Sequence, residues 1–250
     1  MSEDLILFEE FENYAVITFN RPEKMNALSS PMVMQLQQRI EECRGRHSAI
    51  VITARGKAFC AGVDLRERNE WVRKGAKIRG DNVRNKWYDT MCTIIRNHPA
   101  VFIAAVNGLA LGGGVTLVNV CDLAIISEDA QIGVPQIEWG IYPGIAGASA
   151  QLRCVHKHGA WQVLTGRRYG AAAAVDMGVV NFAVPADRLL DEAKALAAHV
   201  ARFEPAALDW CKKALDHIPS HITDLTAAME YGRGVDSIIR DQVAKARSAG

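Results

Sequence analysis

The stretch AAVNGLALGGGVTLVNVCD (residues 104–122) determines how the rest of the chain is interpreted. The apolar run Val101–Val106 ends at Asn107–Gly108, which predicts a short buried strand that enters a turn. Gly112–Gly114 follow, and Val115–Val120 has too few polar residues for a helix with an exposed face. A strand, a glycine turn and a buried helix start leave several backbone N–H groups unpaired and pointing the same way. Such groups favour an anion or a developing oxyanion.

Another glycine turn occurs about fifty residues earlier, in FCAGVDL (Phe59–Leu65). We call this segment the first glycine turn and Gly112–Gly114 the second glycine turn. A glycine triplet by itself is more often a sign of tight packing than of catalysis, and the presence of two such turns favours a catalytic site. Cys60 has two interpretations, a nucleophile or a buried structural thiol, and its apolar neighbours favour the second.

The pattern of strands and helices predicts an α/β fold. Strand-like runs occur at Tyr14–Asn20, Ala49–Ala54, Val101–Val106, Leu123–Ser127 and Val179–Val184. A helix is predicted from Ser29 or Ser30 to about Arg44, because Pro31 suits a first helical turn. These elements recur at intervals of about thirty to forty residues, which is typical of β-β-α units stacked as layers. Gln131–Gly147 is rich in Gly and Pro and is predicted to be a loop beside a cleft.

The end of the chain is predicted to be helical. Helical patterns occur at Arg188–Arg202, at Pro205–Leu215 and over residues 222–248, where Gly232 and Gly234 predict a break. The last fifty residues contain no convincing strand. We therefore divide the chain into a core, residues 1–199, and a helical C-terminal region, residues 200–250.

Residues 66–86 form a basic segment, with eight Lys or Arg against three Asp or Glu. The simpler interpretation is a solvated helix, and the functional one is a flexible basic lid beside a polyphosphate ligand. Trp87, Tyr88 and Trp139 are candidates for a pocket wall, although core packing is the commoner role of such rings.

The composition excludes several classes of protein. The chain has 250 residues, 49% of them hydrophobic, and a net charge near +1, so no global charge favours nucleic acid or a membrane surface. Six cysteines occur without a C-x-x-C pair, which is typical of reduced intracellular thiols. An acidic N-terminus and the lack of a membrane-length apolar run favour a cytoplasmic protein.

Metal and nucleotide motifs are absent from the sequence. His217 and His221 have i,i+4 spacing, but Pro219 is predicted to break the helix that a zinc pair requires. No P-loop pattern is present, and no G-x-G-x-x-G opens a helix after a strand. We expect no metal and no separate cofactor.

Several stretches, in the expected order and spanning nearly the whole chain, resemble the crotonase, or enoyl-CoA hydratase/isomerase, superfamily. They are NRPEKMNALS (20–29), FCAGVDL (59–65), AAVNGLALGGG (104–114), CDLAIIS (121–127), WGIYPGIAG (139–147) and LTGRRYGAAAAVDMGVVNFAVP (164–185). The resemblance implies a spiral core of stacked β-β-α units, a helical C-terminal trimerisation region, and self-association into trimers or hexamers. It also implies an acyl-CoA thioester as the substrate, with coenzyme A entering only as part of it.

The resemblance assigns roles to particular residues. The backbone N–H groups of Val63 and Gly113 would stabilise a thioester enolate in an oxyanion hole. The family's CoA-binding segments map to Lys24, Met25, Ala27, Ala61, Asp64 and Leu65. Backbone donors do not depend on the side chain, which is why valine is acceptable at position 63.

The sequence departs from the family at two positions. Hydratases of this family carry one glutamate two residues after the glycine triplet and another directly after the proline of a P-E-I motif. Here these positions hold Thr116 and Gln136. Neither residue can act as a general base near neutral pH, although both can orient a water or a polar substituent by hydrogen bonding.

Three explanations remain open for the missing acid and base. Glu138 or Tyr142 could replace them, or the reaction needs no base. Decarboxylation of a malonyl-type thioester is of the last kind. The IEWGIYPG stretch also resembles hydroxycinnamoyl-CoA hydratase-lyases, which keep the second glutamate and lack the first. The resemblance thus implies a lyase or isomerase acting through a thioester enolate, with a decarboxylase, a hydratase-lyase on a bulky acyl group and a non-catalytic acyl-CoA-binding protein as alternatives.

Overall fold

The computed structural model describes residues 4–73 and 83–249. The strands are β1 (Ile6–Glu10), β2 (Tyr14–Phe19), β3 (Ala49–Ala54), β4 (Ala58–Cys60), β5 (Val101–Val106), β6 (Leu109–Leu111), β7 (Leu123–Ser127), β8 (Gln131–Gly133), β9 (Tyr169–Gly170) and β10 (Phe182–Val184). The helices are α1 (Ser30–Glu42), α2 (Leu65–Arg73), α3 (Val83–Asn97), α4 (Gly113–Val120), α5 (Ala146–Arg153), α6 (His156–Thr165), α7 (Ala171–Asp176), α8 (Leu189–Val200), α9 (Pro205–His221) and α10 (Leu225–Ala249).

The strands form two sheets. The larger one has six strands in the order β1-β2-β3-β5-β7-β10, and only the β1–β2 pair is antiparallel. The smaller one has four strands in the order β4-β6-β8-β9, and only the β8–β9 pair is antiparallel. All six residues of β5 are buried, as expected for a parallel strand near the centre of a sheet that is covered on both faces.

Consecutive strands alternate between the two sheets, and this alternation positions the glycine turns. In each of the pairs β3 and β4, β5 and β6, and β7 and β8, the first strand joins the larger sheet and the second joins the smaller one. One or more helices follow each pair, so the predicted β-β-α units are confirmed. Because β4 pairs with β6, the first and second glycine turns leave neighbouring strands at the same edge of the smaller sheet.

Helices cover both faces of the larger sheet. On one face, Val51 and Ile103 belong to an apolar cluster that includes Ala193 and Ala197 of α8. On the other face, the cluster includes Leu36 and Ile40, which lie on the apolar side of α1 as their spacing predicts. The α/β class follows from these layers.

Some predicted boundaries are wrong. Residues 179–184 were predicted to form one strand, and only Phe182–Val184 does so, because the preceding residues leave a helix through a turn at Gly178. Gln131–Gly147 is not one loop, since it holds β8, a 3-10 helix at Pro135–Trp139 and the start of α5. The strand and helix segments within residues 131–147 and 179–184 are too short for a hydrophobic period to appear in the sequence.

The C-terminal helices are more continuous than the sequence indicates. Helix α9 runs through Pro219 to His221, so this proline does not end the helix, although it removes one backbone N–H donor from the last turn. Helix α10 is not broken at Gly232 or Gly234, since a helical glycine costs only about 1 kcal/mol relative to alanine. Among residues 4–73 and 83–249, no helix combines the length and the apolar composition that crossing a membrane requires.

Candidate active site

The first glycine turn is held by the loop before α1. The backbone N–H of Leu28 donates to Gly62 O at 2.7 Å, and that of Asp64 donates to Leu28 O at 3.0 Å. Val63 is therefore the bridge residue of a parallel pair with Leu28. The N–H of a residue between two such bonds points to the opposite side. Accordingly, no acceptor for the Val63 N–H occurs in the part of the chain that the structure describes.

The second glycine turn begins a helix. Gly112 has φ of +51°, and its N–H donates to Gly133 O at 3.0 Å, which fixes the turn to β8. The carbonyl of Gly112 accepts from the N–H groups of Val115 and Thr116, so α4 starts at Gly113. The Gly113 N–H belongs to the first turn of the helix and has no acceptor among the described residues.

The two glycine turns are in contact. A Cβ atom placed on Gly62 would lie 3.1 Å from Gly113 N, and one placed on Gly113 would lie 3.3 Å from Gly62 Cα. Gly62 also has φ of +87°, a conformation that only glycine adopts readily. A Cβ on Gly114 would lie 2.1 Å from Cys60 O, so the main chains approach each other too closely for any side chain there. The structure thus brings together the turns that carry the Val63 and Gly113 amides.

Two of the predicted side chains lie beside the second glycine turn. Gln136 approaches Gly112 closely, since a Cβ on that glycine would be 2.6 Å from Gln136 Nε2. Thr116 lies in the first turn of α4 and is 1% exposed. The Thr116 hydroxyl and Gln136 Oε1 are both buried, and neither makes a hydrogen bond of standard geometry within the described residues. Buried polar atoms are normally satisfied, so the Gln136 oxygen is available to a group that enters the site, whereas the Thr116 hydroxyl also interacts with the Tyr88 hydroxyl.

Glu138 and Tyr142 lie in the same stretch as Gln136, between β8 and α5, but away from the second glycine turn. Glu138 is exposed and packs on Gly166, where an added Cβ would be 3.5 Å from Glu138 Oε1. Tyr142 is 59% exposed, and its hydroxyl accepts a hydrogen bond from Gln151 Nε2 at 3.0 Å. The described contacts of these two side chains do not connect either of them with the glycine turns. Trp139 is 55% exposed on the same loop.

The residues predicted to bind coenzyme A lie on two adjacent segments. The N–H of Ala61 donates to Met25 O at 3.0 Å, which places Lys24, Met25 and Ala27 beside Ala61 and Leu65. Met25 and Leu65 are both exposed, and Lys24 is half-buried.

Asp64, the sixth of these residues, has a clear structural role. Its carboxylate accepts from Arg21 Nη1 at 2.6 Å and from the N–H of Arg66 at 2.9 Å, at the start of α2. Burial opposes ionisation, but these bonds prevail and the pKa of Asp64 is lowered. The carboxylate is therefore occupied within the protein.

Other predictions are tested only in part. Residues 74–82 of the basic segment and the side chain of Trp87 lie outside the described residues, so the lid interpretation stays a prediction.

Burial raises the pKa of the Cys60 thiol to about 12, which favours the structural interpretation over a nucleophile. His217 and His221 stack with ring centroids 4.6 Å apart, so their helix is intact, contrary to the expectation from Pro219. No cluster of three or more His, Cys, Asp or Glu side chains suitable for a metal occurs in the described part of the chain.

Two residues make contacts at the site that the sequence does not predict, although Tyr88 was a candidate for a pocket wall. The Tyr88 hydroxyl donates to Gly113 O at 2.5 Å, a contact that no local pattern indicates. Asn26 is fully buried at φ of +52°, and its side-chain amide donates to Arg55 O and Ala58 O. It thereby links the segment that holds Lys24, Met25 and Ala27 to β4. An asparagine between Met and Ala in a turn was the available signal, since asparagine tolerates positive φ.

Comparisons with known proteins agree on one family. A family model described as enoyl-CoA hydratase/isomerase matches residues 9–237. The chain is 34% identical over 219 residues to the probable enoyl-CoA hydratase echA8 of Mycobacterium tuberculosis, covering 86% of this chain and 82% of that protein. It is 32% identical to the hydroxycinnamoyl-CoA hydratase-lyase of Pseudomonas fluorescens, covering 79% of this chain and 72% of that protein. The crystal structure of an enoyl-CoA hydratase from Bacillus anthracis superposes with a TM-score of 0.83 at 28% identity, covering 93% of this chain and 90% of that one.

Proposed function

Because the chain belongs to the enoyl-CoA hydratase/isomerase family of acyl-CoA enzymes, we propose that it stabilises a thioester enolate with the backbone N–H groups of Val63 and Gly113. The observation that carries this proposal is the contact between the two glycine turns, where Gly62 and Gly113 meet and the amides of Val63 and Gly113 have no acceptor among residues 4–73 and 83–249. Two N–H donors from separate turns suit a single carbonyl oxygen. Removing one such donor typically costs about 2.7–4 kcal/mol of transition-state stabilisation.

The acyl-CoA is proposed to lie along the segments that hold Lys24, Met25 and Ala27 and Ala61, Asp64 and Leu65. Met25 and Leu65 offer exposed apolar surface, and Lys24 supplies a positive charge for the phosphates of coenzyme A. Asp64 contributes through the main chain, because its carboxylate is already bound to Arg21.

The groups facing the second glycine turn favour a reaction without a strong general base. Thr116 and Gln136 stand where hydratases of the family carry glutamates, and neither can take a proton near neutral pH. They can orient a water or a polar substituent through their side-chain oxygens.

Decarboxylation of a malonyl-type thioester is the second candidate that this observation favours. The bond between the α-carbon and the carboxylate breaks, its electron pair forms the enolate, and carbon dioxide leaves. The α-carbon then takes a proton from solvent. The paired amides supply the only stabilisation that this step requires.

The experiment that tests the function is incubation of the purified protein with crotonyl-, malonyl-, methylmalonyl- and feruloyl-CoA, followed by mass spectrometry of the products. We expect turnover of at least one thioester. Release of carbon dioxide without hydration of crotonyl-CoA would select the decarboxylase, and cleavage of feruloyl-CoA would select a hydratase-lyase. Binding without any turnover would identify a non-catalytic acyl-CoA-binding protein. Failure to bind or alter any thioester would refute the proposal.

Substitutions separate the roles of the nearby side chains. Gln136→Glu is expected to create or increase hydration of crotonyl-CoA, because it places a carboxylate beside Gly112. Glu138→Gln and Tyr142→Phe serve as matched controls and should change the rate less than about twofold, since their side chains pack on Gly166 and Gln151. A loss of about a hundredfold or more in either control would instead assign it as the missing acid or base.

We also propose that the chain forms a homotrimer through its C-terminal region. Leu215, Leu225 and Met229 on α9 and α10 are each more than half exposed, which is unusual for large apolar side chains clustered on one helical hairpin. Sedimentation equilibrium is expected to give a trimer or a dimer of trimers. A monomer at all concentrations would contradict this assembly.

A further inference from the structure

Tyr88 is a buried side chain that reaches the second glycine turn from another helix. It lies on α3 and is 4% exposed, and its hydroxyl donates to Gly113 O at 2.5 Å. A Cβ placed on Gly113 would lie 3.4 Å from the Tyr88 hydroxyl and 3.6 Å from ring atom Cε2. The ring therefore covers Gly113 on the side of α3, while Gly62 covers it on the side of the first glycine turn.

The N–H donor of Gly113 and the carbonyl of Gly113 belong to different peptide planes. The N–H shares its plane with the Gly112 carbonyl, which accepts from the N–H groups of Val115 and Thr116. The Gly113 carbonyl lies in the next plane, and the hydrogen bond from Tyr88 holds it there. Because glycine has more backbone freedom than any other residue, bonds on both sides of its Cα restrict how far Gly113 can rotate or shift.

On the premise that the proposed function is correct, we propose that Tyr88 is a positioning residue, which binds the Gly113 carbonyl and so keeps Gly113, with its N–H donor, from shifting relative to the thioester oxygen. The side chain is suited to this role because it has one donor on a rigid ring, and that donor is bound to Gly113 O. Its effect is transmitted through the main chain, so it needs no contact with the substrate.

The electrostatic environment keeps the hydroxyl protonated. Burial raises the pKa of Tyr88 well above its usual value, the thiols of Cys92 and Cys60 act in the same direction, and only the Thr116 hydroxyl opposes the rise. The phenol is therefore a hydrogen-bond donor near neutral pH.

The expected effect is on the chemical step. A displacement of about 1 Å at a reacting group can lower the rate about a hundredfold, so the loss of this restraint is expected to lower kcat about 10- to 100-fold. KM should change little, because the segments proposed to bind coenzyme A are held by their own backbone bonds, from Ala61 N to Met25 O and from Leu28 N to Gly62 O. A purely structural role would instead lower the amount of folded protein and leave the ratio of kcat to KM per folded molecule unchanged.

The test compares Tyr88→Phe with Tyr169→Phe. Tyr169 is also buried, and its hydroxyl also makes one hydrogen bond, to Gln162 Oε1 at 2.9 Å, in the smaller sheet. The probe is butyryl-CoA, a saturated thioester, and the readout is the shift of its C=O stretch on binding, measured by isotope-edited infrared spectroscopy. Affinity is measured in parallel by calorimetry.

We expect the wild type and Tyr169→Phe to show the same downward shift of the C=O stretch. Tyr88→Phe should bind butyryl-CoA within about threefold of the wild-type affinity and lose at least half of the shift. A Tyr88→Phe protein with the full shift would overturn the positioning role and leave the proposed function standing. A wild type with no shift would refute the proposed function and the role of Tyr88 with it. Unfolding of Tyr88→Phe, with Tyr169→Phe still folded, would show that the hydroxyl supports the fold itself and would also overturn the role.

Discussion

Replacing Gly114 by alanine is expected to force the two glycine turns apart. The new methyl group would lie 2.1 Å from Cys60 O, whereas real Cβ atoms essentially never come closer than 3.0 Å to such an atom. The main chains of β4 and α4 must therefore separate by about 0.9 Å. Neither side can yield by rotating a side chain, because the atom that the methyl group meets is a backbone oxygen.

The size of the effect follows from this displacement. Forcing an extra methyl group into a packed site typically costs about 1–3 kcal/mol, and the gain in helix propensity offsets less than about 1 kcal/mol of it. We expect Gly114→Ala to lower the free energy of unfolding by about 1–2 kcal/mol. Because the proposed amide donors would also move by nearly 1 Å, we expect turnover to fall about a hundredfold, more than the loss of folded protein explains.

The assay combines urea unfolding with turnover of the thioester identified by the product screen, normalised to folded protein. Gly232→Ala is the matched control, because it adds the same methyl group to a helical glycine with no atom within 4 Å. It should leave turnover unchanged and stabilise the helix by up to about 1 kcal/mol. A Gly114→Ala protein with wild-type turnover per folded molecule would refute the inference that the close approach of the turns sets the geometry of the site.

Three further predictions concern buried polar groups. Burial lowers the pKa of His98 to about 4, so the folded state favours the neutral ring. The free energy of unfolding should therefore fall by up to about 3 kcal/mol as the pH drops from about 6.5 towards 4. Urea unfolding of His98→Asn should lack this part of the pH dependence. Asn26→Ala should lower the free energy of unfolding by about 3 kcal/mol, because the carbonyls of Arg55 and Ala58 lose their donor. Asn26→Asp keeps the shape of the side chain but also lacks the amide donor, so it should not retain the wild-type stability. Lys212→Met should lower the unfolding free energy by about 1–3 kcal/mol. Lys212 is 5% exposed, and the carbonyls of Ile95 and Ala100 lose its ammonium as a donor, whereas Asp122 keeps its ion pair with Arg96. Wild-type stability of this variant would contradict the prediction.

Much of the fold could be predicted because its central strands carry strong local signals. Ala49–Ala54, Val101–Val106 and Leu123–Ser127 were predicted with their observed bounds, since each is an apolar run that ends at a turn or a charged residue. Strands β4 and β6 have three residues each, which is too short for any periodicity. Their existence depends on pairing with each other, which is a tertiary property.

The candidate site also has features that a local sequence signal predicts and features that depend on tertiary packing. Both glycine turns were visible because glycine at a turn has a local cause. The contribution of Tyr88 was not visible, because it depends on how α3 packs beside α4, and the sequence pattern indicated only a pocket wall. Glu138 lies on the 3-10 helix that begins at Pro135, and this helix sets the orientation of its side chain. The Gly and Pro content of this stretch had predicted a loop instead. The roles proposed for Val63, Gly113, Thr116 and Gln136 stay predictions.

The close approach of Gly62, Gly113 and Gly114 has a consequence for how such a protein diversifies. Every residue except proline brings a peptide N–H regardless of its side chain, so no other substitution at position 63 or 113 deletes the amide, and the close contact rejects the mutations that would move the two amides. Positions 116 and 136 carry no such restriction. Descendants of one ancestral gene can therefore exchange the groups around a fixed pair of donors, and acquire new reactions without rebuilding the part that is hardest to evolve.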